Sequence, residues 1–178
     1  MNYVALLRGI NVGGNTRVDM KWLREACEAL GWHEVRTYIN SGNVVFVHDS
    51  ADTLDLARAL KDRIADELAL TVEVIVRSAD EIRAVLEATP TEWRNDATMK
   101  CDVVFVWEGI SPEQELTLLN PRSGIDEVRT TTRALIWKVD RINATRSGLL
   151  KMMSMPLYRK TTVRNINTVR KLGGMLDD

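Results

Sequence analysis

The sequence predicts an α+β fold of two ferredoxin-like (split βαβ) subdomains with antiparallel sheets, the second followed by a basic C-terminal helical tail. Three observations carry this expectation. Apolar patterns of strand and helix period alternate in the order β-α-β-β-α-β over the first 77 residues. The order begins again near residue 99. The tetrapeptide Glu34-Val35-Arg36-Thr37 recurs as Glu127-Val128-Arg129-Thr130 at the same place in both orders, as an architectural duplication would require. The expected boundaries are 1–77 for the first subdomain, 78–98 for a connecting helix and loop, and 99–178 for the second subdomain with its basic segment.

Taken in order, Tyr3 to Arg8 reads as a short buried strand, closed by a Gly/Asn-rich loop, Gly9 to Arg17. Asp19 is a suitable N-cap for a helix whose apolar set Met20, Leu23, Ala26, Cys27 and Leu30 follows helical spacing, and Gly31 stops it. EVRTYI and NVVFV flank Asn40-Ser41-Gly42, which is a hairpin signal. A second helix starts near Asp52-Thr53 with Leu56, Leu60, Ile64 and Leu68 as its stripe, and Val72, Val74 and Val76 mark a fourth strand. Ser78 and Glu81 suggest a capping box for the connecting helix, which ends before Pro90. The second half offers a strand over Cys101 to Trp107 and a helix from Ser111-Pro112 to Leu119. A hairpin follows, from Glu127 to Thr130 and Leu135 to Val139. Beyond Val139 the pattern leaves the repeat: Leu149 to Met153 is helical, Met155-Pro156 breaks it, and Asn165 to Leu172 begins a last helix.

With 178 residues, 45% hydrophobic and 28% charged, and only 2 Cys and 4 Pro, the chain is neither collagenous nor disordered nor a disulfide scaffold. The opening MNYVALLRG meets an arginine too early for a signal peptide or a membrane span, so a soluble cytoplasmic protein is expected. Cys27 and Cys101 sit in apolar settings, as reduced core thiols do. The net charge of −1 conceals a segregation. Eight Lys/Arg and no acid fall between Arg141 and Met175, which leaves positions 1–140 at −7 and 141–178 at +6. Two readings fit this: a basic segment docking on its own acidic remainder, or a face for phosphate, carboxylate or nucleic acid.

Three segments carry candidate binding chemistry. In RGINVGGN, Gly13 and Gly14 can turn backbone N–H groups toward one anion, with Asn11 beside them and Arg8 and Arg17 supplying charge. The spacing matches no nucleotide fingerprint, so no cofactor is expected. In NSGN, Ser41 and Asn43 offer a hydroxyl and an amide, though ordinary hairpin chemistry explains them as well. In TTVRNINT, Arg164 and Asn165 gather donors at a helix start, and Asn165 or Thr162 also suits a helix cap. Standard catalytic sets are missing: His33 and His48 lack metal spacing, and no nucleophile elbow occurs. Trp93, in the loop over 89–98, is placed to cover a cleft.

The patterns LLRGINVGG, YINSGNVVF and TTVRNINTVRKL resemble those of a widespread bacterial family of unknown function, over essentially the whole chain. The resemblance implies an N-terminal ferredoxin-like subdomain joined to a second α+β part. It also places Arg8, Gly9, Asn11, Gly13, Gly14, Ser41, Gly42, Asn43, Arg164, Asn165 and Thr168 at signature positions. Ile166 stands where the resemblance implies an aromatic residue, which weakens any stacking role for that position. The function expected is binding of a small anionic, phosphate- or carboxylate-bearing ligand in a cleft formed by the Gly/Asn loop and TTVRNINT, with or without turnover. The alternative is an RNA-binding or protein-interaction module using the basic tail. NVVFV supplies a single aromatic, Phe46, and the first 140 residues are acidic, which disfavours nucleic acid.

Overall fold

The structure, a computed structural model, describes residues 1–13 and 16–177 and forms two compact units, Met1–Asp80 with Gly174–Asp178 and Glu81–Gly173. The first unit contains β1 (Asn2–Leu7), α1 (Met20–Ala29), β2 (His33–Tyr38), β3 (Asn43–Val47), α2 (Thr53–Leu68) and β4 (Val74–Ser78). Its sheet has the order β2-β3-β1-β4 with every pairing antiparallel, the split-βαβ arrangement that the sequence predicts. Asp19 caps α1 by accepting from the Trp22 backbone N–H at 2.9 Å, and Asp52 caps α2 through Leu54 and Asp55. Helix stripes Leu23, Cys27, Leu56, Leu60 and Ile64 close over the sheet face bearing Tyr3, Ala5, Leu7, Val44 and Phe46. Phe46 stacks between Tyr3 and Trp32, with centroids 5.5 and 3.8 Å away.

Helix α3 (Ala79–Ala88) leads into β5 (Met99–Val106), α4 (Pro112–Leu119), β6 (Asp126–Thr131) and β7 (Ala134–Asp140). Next come a 3-10 turn over Arg141–Arg146, α5 (Leu149–Met152), a second 3-10 turn over Pro156–Lys160, β8 (Thr161–Asn165) and α6 (Ile166–Asp177). The second sheet has the order β6-β7-β5-β8, again antiparallel throughout. Thr161–Asn165 departs from expectation, since the sequence reading places it in the basic helical tail that follows the second subdomain. It is an edge strand paired only to β5, and the basic tail is therefore woven into the second sheet. Trp93 departs too: it is 2% exposed rather than lid-like, with Arg129 5.3 Å over its ring and its carbonyl accepting from Arg170 at 2.7 Å.

The register makes the duplication explicit. In the first sheet Val4 pairs with Val45 and Arg77, and Val45 pairs with Arg36. In the second, Val103 pairs with Ile136 and Arg164, and Ile136 pairs with Arg129. Each sheet thus carries the same transverse row, an arginine on either edge strand with two aliphatic residues between. Arg77 and Arg164 also behave alike, each donating from Nη1 to the carbonyl of the preceding residue, at 2.8 and 2.9 Å. The recurring Glu-Val-Arg-Thr sits in register in both sheets. The final turn of α6 belongs to the first unit, where Asn2 Nδ2 donates to the Leu176 carbonyl at 2.9 Å and the Arg36 guanidinium to that of Met175.

Candidate functional site

The loop that leaves β1 is held by one amide. Asn11 Nδ2 donates to the carbonyls of Val18 (2.9 Å) and Asn40 (2.8 Å), while Oδ1 accepts from the Val18 N–H at 2.9 Å. Asn11 also takes a left-handed φ of 55°, which asparagine tolerates better than other side chains do. It therefore straps the loop's return strand to the β2–β3 hairpin. That hairpin is itself locked to β1. The Leu7 N–H donates to the Gly42 carbonyl at 2.8 Å, and a Cβ on Gly42 would fall 2.7 Å from Leu7 Cβ and Ile10 Cδ1. Asn43 is fully buried and donates to the Tyr38 carbonyl (3.0 Å) and Ser41 Oγ (3.1 Å). Arg8 is half-buried and its backbone N–H donates to the Glu73 carbonyl at 2.8 Å.

A cleft of about 810 Å³ opens beside this strap, between the loop, the start of α1 and the end of α2. Its polar wall is Asn11, Arg17, Asp19, Lys21 and Asn40; its apolar wall is Val18, Met20, Trp22 and Leu68. Arg17 and Lys21 are exposed cations. Of the nearby carboxylates, Asp19 accepts at the cap, Glu67 is held by the Trp22 indole N–H (3.2 Å) and Arg63 (2.6 Å), and Glu25 faces Lys21 across a long, solvent-exposed 3.9 Å gap that an incoming anion can displace. The wall is left with a cationic excess and a half-buried indole, which suits an anion attached to a flat or apolar body.

The structure gathers Arg8, Asn11, Gly13, Ser41 and Asn43 at one end of the first sheet, and of these Asn11 lines the cleft. Gly14 lies outside the described residues. Arg164 and Asn165 belong to the second unit. Arg164, 8% exposed, donates to Thr162 Oγ1 at 3.0 Å; Asn165 Oδ1 accepts from the Thr168 N–H at 2.9 Å and caps α6. Burial lowers the Arg164 pKa to about 10, so it remains charged at neutral pH. Lys21, Trp22, Asn40 and Leu68 enter the site without having been singled out as ligand contacts by the sequence. Only the run of loop and helix start around Arg17 and Lys21, in which the capping Asp19 is the one acid before Glu25, hints at the first of them.

Cys27 and Cys101 are buried thiols pushed up to about 12, chiefly by burial, and are inert as nucleophiles. Among the described residues no cluster of His, Cys, Asp and Glu could hold a metal ion. No helix there is long and apolar enough to cross a membrane. The basic tail spends much of its charge internally. Arg141 donates to the Asp96 carbonyl and Asn95, Arg170 to the carbonyls of Trp93 and Pro90, and Lys151 to that of Leu118.

Fold and register define a duplicated ferredoxin-like α+β protein, in whose second repeat two 3-10 turns and the short α5 stand between β7 and β8 where α2 stands in the first. The chain belongs to the family described as protein of unknown function (DUF1697), whose pattern matches residues 1–136. It is similar to the solved structure of conserved bacterial protein SP0830 from Streptococcus pneumoniae. The two share 30% identity over 98% of each chain, with a TM-score of 0.82. No curated protein matches the sequence.

Proposed function

We propose that the cleft beside the Gly/Asn loop binds a small anionic molecule, a phosphate or carboxylate joined to a flat or apolar group. The observation that supports this reading is the lining itself: Arg17 and Lys21 face the same opening, Asp19 caps α1, Glu67 is held by Arg63, Lys21 has only a long exposed contact to Glu25, and Trp22, Met20 and Leu68 form the opposing wall. The anion pairs with the two cations, and Asn11 and Asn40 fix the wall's geometry through their mutual hydrogen bond. Arg8 and Gly13 belong to the same loop and support its path. Ser41 and Asn43 act one step back, shaping the hairpin to which Asn11 is tied.

Calorimetric titration of the full chain with inorganic phosphate and with phenyl phosphate tests the reading. Phenyl phosphate should bind at least about tenfold tighter because its ring adds burial against Trp22. Arg17→Gln combined with Lys21→Gln should weaken both by about tenfold or more, as loss of charge-assisted contacts does. Unchanged affinity in that double variant would remove the cleft from consideration.

A further inference from the structure

The internal duplication exposes a difference between equivalent cores. Since Val4 and Val103 are register equivalents, so are their preceding neighbours Tyr3 and Asp102. In the first unit Tyr3 fills the space under the helices, 2% exposed and stacked on Phe46. In the second unit the much smaller Asp102 occupies that place, and the 16-residue α2 is answered by the four-residue α5 between 3-10 turns. The result is a cavity of about 140 Å³ between β5, β7, β8 and α5, walled by Val139, Val163, Leu149, Met152 and Tyr158, with Lys100 and Asp102 as its charged groups. An apolar cavity of about 150 Å³ admits a benzene-sized molecule.

The charges are layered. Lys100 Nζ lies 3.3 Å from Asp102 Oδ2, but the lysine side chain is 38% exposed and the aspartate 13%, so the ammonium sits toward water and the carboxylate inward. Burial raises the Asp102 pKa against the opposing pull of Lys100 and Arg141, which marks a carboxylate with incomplete compensation. Met153 and Leu150, 63% and 48% exposed, stand at the rim and extend the apolar lining to the surface.

We propose that this cavity is a second binding site, separate from the anion cleft, that takes a small primary amine bearing a compact aromatic or branched aliphatic group. The ammonium meets Asp102 and the apolar body fills the space that Tyr3 fills in the first unit.

The test uses three probes of one shape, benzylamine, benzyl alcohol and benzoate, titrated into the isotopically labelled full chain and followed by amide chemical shifts. Benzylamine should saturate with a dissociation constant of about 1 mM or tighter. The largest shifts should fall on residues 100–102, 147–153 and 163. Benzyl alcohol should bind about tenfold more weakly or worse, and benzoate least. Asp102→Asn should reduce benzylamine to the level of the alcohol, and Ala144→Leu, which enlarges a side chain of the cavity wall on the 3-10 turn after β7 and leaves Asp102 intact, should abolish binding of both. Equal binding of amine and alcohol, an unaffected Asp102→Asn or Ala144→Leu variant, or no saturable binding of benzylamine would each overturn the proposal.

Discussion

Replacing Asn11 with alanine removes three hydrogen bonds of 2.8–2.9 Å and leaves an alanine at a φ of 55°. Each bond contributes about 0.5–1.5 kcal/mol net, and the lower half of that range applies because the strap is only partly buried. The left-handed backbone adds about 1 kcal/mol for a residue with a Cβ and no side-chain amide. The expected loss is therefore about 2–4 kcal/mol, or a melting temperature lowered by roughly 5–15 °C in a chain of this size. Urea unfolding followed by tryptophan fluorescence and by circular dichroism would measure it, with the slope unchanged if the denatured state is unaffected. Asn11→Gly keeps the backbone freedom and loses the bonds, so it should be the milder variant. The strap also shapes the cleft, so both variants should weaken phosphate binding. A loss below about 0.5 kcal/mol for Asn11→Ala, or a glycine variant less stable than the alanine one, would refute the reasoning.

Further expectations rest on single contacts. Gly42→Ala should cost about 2 kcal/mol or more in chemical denaturation, since φ is 76° and the new Cβ would lie 2.7 Å from Leu7 and Ile10. Asp126 and Asp102 should respond to pH in opposite directions. Burial pushes the Asp126 pKa up, but hydrogen bonds from Ser147, the Arg122 and Gly148 N–H groups and the Trp137 indole outweigh it, and its pKa is lowered. Its contribution is present above the unfolded value near 3.9 and lost as pH falls through the folded one, so Asp126→Asn should flatten the acid limb of a stability profile and destabilise at pH 7. Burial raises the Asp102 pKa, so the native state holds that proton more tightly than the unfolded chain does and stability is lost as pH rises through the folded value; Asp102→Asn should leave stability at pH 7 unchanged or higher. Thiol titration at pH 8 should find Cys27 and Cys101 unreactive in the native protein and both reactive in denaturant.

The elements that could be read from the sequence are those whose apolar spacing is local. Helices α1 and α2 announce themselves through Asp19 and Asp52 caps and regular stripes, and NVVFV could be nothing but a strand. Strand β8 escaped because TTVRN has a single aliphatic residue and an arginine that is buried for tertiary reasons, namely its edge pairing with β5. A comparison of Val76-Arg77-Ser78 with Val163-Arg164-Asn165 would have found it, since both triplets close a sheet and precede a helix. At the site, Asn11, Ser41 and Asn43 are polar residues whose side chains serve turns, and sequence alone does not separate that use from ligand contact. Trp22 and Leu68 reach the cleft only because α1 and α2 pack side by side, a non-local fact without a motif. The cavity beside Asp102 depends on a missing Tyr3 equivalent, visible only after the two registers are aligned.

The central claim is that the cleft beside the Gly/Asn loop holds the anion. Its most direct test is a phenyl phosphate titration of the labelled full chain read by amide and indole shifts. Saturating shifts at Arg17, Lys21, Asn40 and the Trp22 indole, absent from the Arg17→Gln/Lys21→Gln variant, are the predicted result. Shifts clustered instead on the basic segment over 159–171, with those four positions unmoved, would contradict it.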